Sequence, residues 1–274
     1  MTGLPRPTLG LILVSAFFAT FISGCKEEEE DKVFEPVLLE ISSLEDIVPI
    51  TDSLVKPFLY HNVGGFDTLT VQENKEKFIA VVLPAILIVK HRVRQDLRKV
   101  KDLVLTDNWS KKDSLFYQAQ LDRFNADSPF DLIIRMHTHP TSIALAQAVV
   151  ESGWGTSRFF SEANNLFGIW SYNPDRPRIA AKSNTGNVHL RKYEDISGSI
   201  VDYFETIARA RAYRNFRIAS YETGDINKLL PHLSSYSERG TEYVDQLRTI
   251  IDQNNFQQYD HFVLDLQYSS PSEE

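Results

Sequence analysis

The chain has 274 residues, with 29 basic and 37 acidic side chains and a formal net charge of −8. That balance excludes a protein that grips nucleic acid mainly by neutralising phosphate, which needs a concentrated Lys/Arg face. A hydrophobic content of 42% with 24% charged residues excludes wholesale disorder, and the single cysteine excludes a disulfide framework or a multi-thiolate metal site.

Residues 9–22 (LGLILVSAFFATFI) form an apolar run behind Arg6. It falls short of the roughly 20 apolar residues of a membrane-spanning helix and suits the core of a signal peptide. Ile22-Ser23-Gly24-Cys25 follows, and Cys25 is the lone cysteine. This string resembles the bacterial lipobox, in which a signal peptidase cuts before a cysteine whose thiol takes a diacylglyceryl group. The resemblance implies a lipoprotein signal peptide over residues 1–24 and lipidation at Cys25. Lys26 stands where an Asp would signal inner-membrane retention, so the expectation is an outer-membrane lipoprotein facing the periplasm of a Gram-negative bacterium. Residues 27–31 (EEEED) repel one another and read as the start of a solvated tether. Pro36, Pro49, Pro57, Gly64 and Gly65 punctuate the rest of an extended lead-in, so that 25–70 reads as lipidated cysteine, tether and lead-in.

Helical patterns dominate from Lys75 onward. Phe78, Val81, Val82, Ala85, Ile86 and Val89 recur at three- and four-residue steps, with a kink expected at Pro84. Ser110 followed by Asp113 reads as a helix start, with Leu115, Phe116, Ala119 and Phe124 as the expected apolar stripe. Residues 170–193 are less regular, and the alternation in 187–193 (NVHLRKY) predicts one strand of a small hairpin. Residues 241–254 return to helical spacing through Tyr243, Leu247, Ile250 and Ile251. The Arg-rich stretches 91–99 and 209–217 read as solvated helix faces.

The chemistry concentrates in residues 140–168, PTSIALAQAVVESGWGTSRFFSEANNLFG. Thr141 or Ser142 is placed to cap a helix whose body is apolar around most of its circumference, which predicts burial. Gly153-Trp154-Gly155 ends it, leaving Glu151 in the last turn. Apolar surroundings and the negative end of the helix dipole both disfavour the carboxylate, which raises its pKa as a general acid requires. His137-Thr138-His139-Pro140 resembles the His-x-His-Pro zinc site of JAMM-type metalloproteases. Gln147 and Val150 stand where that site carries Ser and Asp, so no metal is expected.

The strings ALAQAVVESGWGTSRF and NNLFGIW resemble the glucosaminidase family of peptidoglycan hydrolases, in particular its Bax-like branch, and the likeness runs from about Lys75 to SSYSERGTEYVDQL. The resemblance implies an α+β fold, predominantly helical and lysozyme-like with a small β-hairpin lobe, as a catalytic domain over 71–268 before a C-terminal tail at 269–274. It implies cleavage of β-1,4 bonds in peptidoglycan glycan strands, typically after N-acetylglucosamine, with no metal or organic cofactor and no nucleic-acid partner. Glu151 becomes the catalytic acid. Trp154, Asn165, Phe167, Gly168, Tyr236 and Tyr243 become substrate-site residues. Many members supply a second acid from the β-lobe, yet residues 178–193 contain neither Glu nor Asp. Glu194 and Asp195 at the hairpin's exit, with Asp175 before it, are the nearest candidates. Without them, the substrate's own N-acetyl group would act as nucleophile. A lytic transglycosylase and a non-catalytic wall-binding lipoprotein are the alternatives.

Overall fold

A single long helix packs against elements drawn from both halves of the described chain. The computed structural model describes residues 35–61, 63–181 and 188–268; the apolar run, Cys25, the acidic run, residues 182–187 and the expected tail at 269–274 lie outside them. Strand β1 (Val37–Glu40) pairs in parallel with β3 (Phe58–His61), and β2 (Leu54–Val55) sits between them in sequence. Helix α1 (Val71–Val104) starts at Thr70, whose hydroxyl accepts from the Glu73 N–H while the Glu73 carboxylate accepts from Thr70 N at 3.0 Å. Its 34 residues make it about 50 Å long, and it runs on through Pro84 as one helix. The neighbours of Pro84 from Phe78 to Lys90 are almost all sealed from water, so packing on every side holds the helix through the missing hydrogen bond.

Helix α2 (Lys111–Phe124) begins at Ser110 with Asp113 completing the reciprocal cap, as the sequence suggests. Its buried face, however, is Tyr117, Gln120 and Phe124, while Leu115 is 63% exposed. The rotation has two anchors: Tyr117 packs on Trp109 at 4.7 Å between ring centroids, and Arg123 reaches Asp96 and Glu205. Helix α3 (Pro129–Met136) follows, capped by Ser128 with Pro129 in its first turn. Helix α4 (Thr141–Ser152) packs against α1, and α5 (Arg158–Ala163) comes next.

The small lobe is an antiparallel pair, β4 (Arg178–Ala180) with β5 (His189–Arg191), joined by a bridge from Trp170 to Leu190. Helices α6 (Ile196–Arg209), α7 (Arg214–Glu222) and α8 (Ile226–Leu229) lead into a 3-10 stretch, Leu230–Tyr236, and then α9 (Thr241–Gln253). A second 3-10 stretch, Phe256–His261, precedes β6 (Val263–Leu264), which pairs in parallel with β2. The lead-in is therefore stitched to the far end of the described chain, and the described residues from Glu35 onward form one compact unit. Arg217 is not part of a solvated face: it is 5% exposed and donates to the Ile207 and Ala210 carbonyls at the end of α6. The architecture is thus α+β and predominantly helical, with a small hairpin lobe, as expected.

Candidate active site

Helix α4 is buried along its length, from Thr141 to Val149. Neither Thr141 nor Ser142 caps it. Both lie inside the first turn, and the cap arrives from 118 residues away: Asp260 accepts from Ser142 N and from Ser142 Oγ, each at 2.8 Å. At the other end Gly153 (φ 59°), Trp154 (φ 57°) and Gly155 (φ 80°) are all left-handed, so the chain reverses within three residues. Ser152 locks this turn, donating to Ala148 O at 2.6 Å and accepting from Gly155 N at 3.1 Å. A non-glycine residue resists a positive φ, and Trp154 is held there by edge contacts with Phe78 and Phe256 and by Lys75 Nζ 5.3 Å over its ring.

This reversal leaves Glu151 half-buried at the helix end. Burial raises its carboxyl pKa, opposed by the Tyr243 hydroxyl, which donates to Oε1 at 3.0 Å, and by the Arg239 charge. Tyr243 is fully buried in α9 and stacks on Tyr236 at 5.5 Å with the rings 10° apart; Arg239 lies 5.5 Å over the same Tyr243 ring. Burial, and then the Glu151 carboxylate, push the Tyr213, Tyr236 and Tyr243 phenols upward, so all three stay neutral and Tyr243 meets this acid as a hydroxyl.

Behind the pair runs a buried polar chain. Gln147 lies one helical turn before Glu151 and is sealed from water. Its Nε2 donates to the Tyr243 hydroxyl at 3.0 Å, and its Oε1 accepts from the Tyr203 hydroxyl at 2.7 Å. Tyr203 in turn lies 2.8 Å from His139 Nε2. Burial holds the His139 imidazole well below its ordinary pKa, so it is neutral. Tyr203 does not stand out in the sequence, and His139 and Gln147 are noticed there only through the zinc-like string that they do not complete. Their separations from one another reach 64 residues, beyond any local pattern.

The other expected site residues divide. Phe167 stacks on Tyr203 at 4.1 Å and so belongs to the wall behind Glu151. Asn165 is 1% exposed, and its amide is fully engaged by the protein: Nδ2 donates to Ile169 O and Arg191 O, and Oδ1 accepts from Ile169 N. Its work is to hold the hairpin lobe to the loop after α5, with Asn164 donating to the Tyr193 and Glu194 carbonyls beside it. Gly168 turns that loop at φ 66°. Asp195 caps α6, accepting from Ser197 N at 2.7 Å, and Glu194 is exposed.

Residues 130–256, from α3 to just beyond α9, match the family model described as Glucosaminidase: Mannosyl-glycoprotein endo-beta-N-acetylglucosaminidase. This segment of the chain is similar to the glucosaminidase family. Glu151, Gln147, Tyr203 and Tyr243 all fall inside it, whereas α1 and the lead-in lie before it. The exo-glucosaminidase LytG of Bacillus subtilis (strain 168) is 27% identical over 136 residues, 46% of this chain and 48% of LytG. The chain thus spans about half the length of the curated relative it matches. The catalytic domain of the autolysin Auto from Listeria monocytogenes is 19% identical, with a TM-score of 0.38, over 56% of this chain and 99% of the solved one.

Proposed function

We propose that the glucosaminidase-like segment hydrolyses β-1,4 glycosidic bonds of peptidoglycan on the N-acetylglucosaminidase pattern, with Glu151 as general acid. The observation that carries the reading is the environment of Glu151: a carboxyl at the end of a buried helix, its pKa raised by burial, with one oxygen held by Tyr243. A protonated carboxyl so placed can hand its hydrogen to the departing glycosidic oxygen. LytG is named an exo-glucosaminidase, which supports the same bond.

A single carboxylate suffices in this reading. Asp195 is engaged as a helix cap and Glu194 stands exposed, so the substrate's N-acetyl oxygen attacks the anomeric carbon from within the sugar, and water then opens the ring it forms. The test is digestion of purified sacculi by wild type, Glu151→Gln, Glu194→Gln and Asp195→Asn, with products weighed by mass spectrometry. Only Glu151→Gln should abolish release of reducing N-acetylglucosamine ends. Products lighter by one water would identify a lytic transglycosylase, and intact sacculi with the wild type would leave a wall-binding protein.

The reading extends to the segment before residue 35. The apolar run at 9–22 and the Ser23-Gly24-Cys25 string support export and lipidation at Cys25, with the acidic run as tether, on an outer-membrane lipoprotein facing the periplasm. Labelling with a clickable palmitate analogue, lost in Cys25→Ala, tests that half independently of activity.

A further inference from the structure

The polar chain behind Glu151 has a direction, and direction matters to a proton donor. A hydroxyl has one hydrogen to give. The Tyr243 hydroxyl lies between Gln147 and Glu151 Oε1, and it gives its hydrogen to whichever neighbour offers a lone pair and no competing hydrogen. Gln147 presents Nε2, a donor, so the hydrogen of Tyr243 goes to Glu151. With the amide turned over, Gln147 would offer Oε1 instead, and Tyr243 would turn its hydrogen away from the acid. A protonated Glu151 would then donate to the Tyr243 oxygen, with its hydrogen pointed into the protein rather than at a substrate.

What keeps the amide in the productive sense is Tyr203, which donates to Gln147 Oε1 at 2.7 Å. Tyr203 can do so only if it does not give the same hydrogen to His139 Nε2, 2.8 Å away, and this requires the hydrogen of the neutral imidazole to sit on Nε2. All the donors then run one way: His139, Tyr203, Gln147, Tyr243, Glu151. Gln147 and Tyr243 are each sealed from water, and Tyr203 is pinned by its stack on Phe167, so the chain has no solvent with which to reverse itself.

Resting on the reading of Glu151 as general acid, we propose that Gln147 is a positioning residue: held in one sense by Tyr203 and His139, it aims the Tyr243 hydroxyl at Oε1 of Glu151 and leaves Oε2 to carry the hydrogen donated to the substrate. None of the three residues touches the reacting bond. They act through Tyr243.

The chain is tested by 15N NMR of the histidine ring and by two variants, Tyr203→Phe and Gln147→Met, alone and combined. His139 should titrate nowhere near neutrality and show its hydrogen on Nε2. In Tyr203→Phe, which keeps the ring on Phe167 and so keeps the fold, the Gln147 amide is free to turn over and draw the Tyr243 hydrogen away, so the Glu151 carboxyl followed by 13C NMR should titrate higher. On sacculi, kcat should fall about tenfold with KM unchanged, and the alkaline limb of the pH–rate profile should move up with the carboxyl. The double variant should move Glu151 no further than the larger single one. A hydrogen on Nδ1, or a Glu151 titration unmoved in Tyr203→Phe, overturns the proposal. The NMR readouts do not depend on turnover, so an inactive wild type would refute the hydrolase reading while the direction of the chain is still decided.

Discussion

The Tyr243 hydroxyl donates to Oε1 of Glu151 at 3.0 Å, across 92 residues of sequence. The contact works against the burial that raises the carboxyl pKa: burial favours the acid form, and this donor favours the carboxylate. Their balance sets the pH range in which Glu151 is both protonated and able to give its proton away. In Tyr243→Phe the ring still stacks on Tyr236, but the carboxyl loses its donor. The alkaline limb of the pH–rate profile should rise by about one pH unit, with kcat down about tenfold. A profile measured between pH 4 and 9 checks it, and an unmoved limb would mean that Tyr243 does not hold the acid in solution.

The same burial predicts a conflict between activity and stability. A carboxyl whose pKa is raised on folding binds more protons folded than unfolded above its ordinary value of 4.5. Its contribution is complete below that value and is lost as pH climbs through the raised one. Glu151→Gln keeps the shape, removes the charge and should abolish turnover while raising Tm at pH 7.5, by about 2–4 °C for each kcal/mol recovered. At pH 4 the gain should vanish. Differential scanning fluorimetry at both values decides it, and a variant that melts lower than wild type at pH 7.5 would place Glu151 in a more polar setting than its neighbours imply.

Much of this site was legible in the sequence, and what was not has a common cause. The apolar run before Glu151 announces a buried helix, and Gly153 with Gly155 announces its end, because both signals are local. The buried face of α2 was not legible, since Leu115 is as apolar as Tyr117 and only Trp109, Arg123 and their partners choose between them. Asp260, Gln147, Tyr203 and His139 were invisible as site builders. A buried polar side chain is placed by partners far away in sequence, and periodicity reports only which side of a helix is apolar. Asn165 shows the converse: a motif residue whose position in the string suggests substrate, yet whose amide is fully engaged in holding the hairpin lobe.

Gly155 and Gly168 share a left-handed backbone, at φ 80° and 66°, but not a neighbourhood. A Cβ on Gly155 would stand 3.1 Å from Phe78, 3.2 Å from Phe66 and 3.3 Å from Phe160, in a packed aromatic cluster, while one on Gly168 would meet nothing within 4 Å. Gly168→Ala should therefore cost about 1 kcal/mol of backbone strain, and Gly155→Ala about 3 kcal/mol once the crowding is added. Urea unfolding separates them. Because Gly155 sits in the turn that sets Glu151 at the helix end, activity should fall further in Gly155→Ala than stability alone explains. Equal costs at the two positions would show that the aromatic cluster yields.

Lys90 supplies the sharpest pH signature outside the site. It is 3% exposed and donates to His139 O and Thr141 Oγ1, both at 2.8 Å, which fixes the strand of chain entering α4. Burial brings its pKa from 10.5 down to about 7, with the Arg94 charge acting in the same direction and Asp260 opposing. Between those two values the unfolded chain binds more protons than the folded one, so stability rises with pH across that window. Below pH 7 both forms carry the proton and the whole burial penalty stands; above the unfolded value neither does. Lys90→Met removes the titration and leaves the other groups in place, so the difference in unfolding free energy, wild type minus variant, isolates it. That difference should climb by about 3 kcal/mol between pH 6.5 and 9.5. A flat difference would mean that water reaches the ammonium, and that the anchor between α1 and the start of α4 is looser than its two short hydrogen bonds imply.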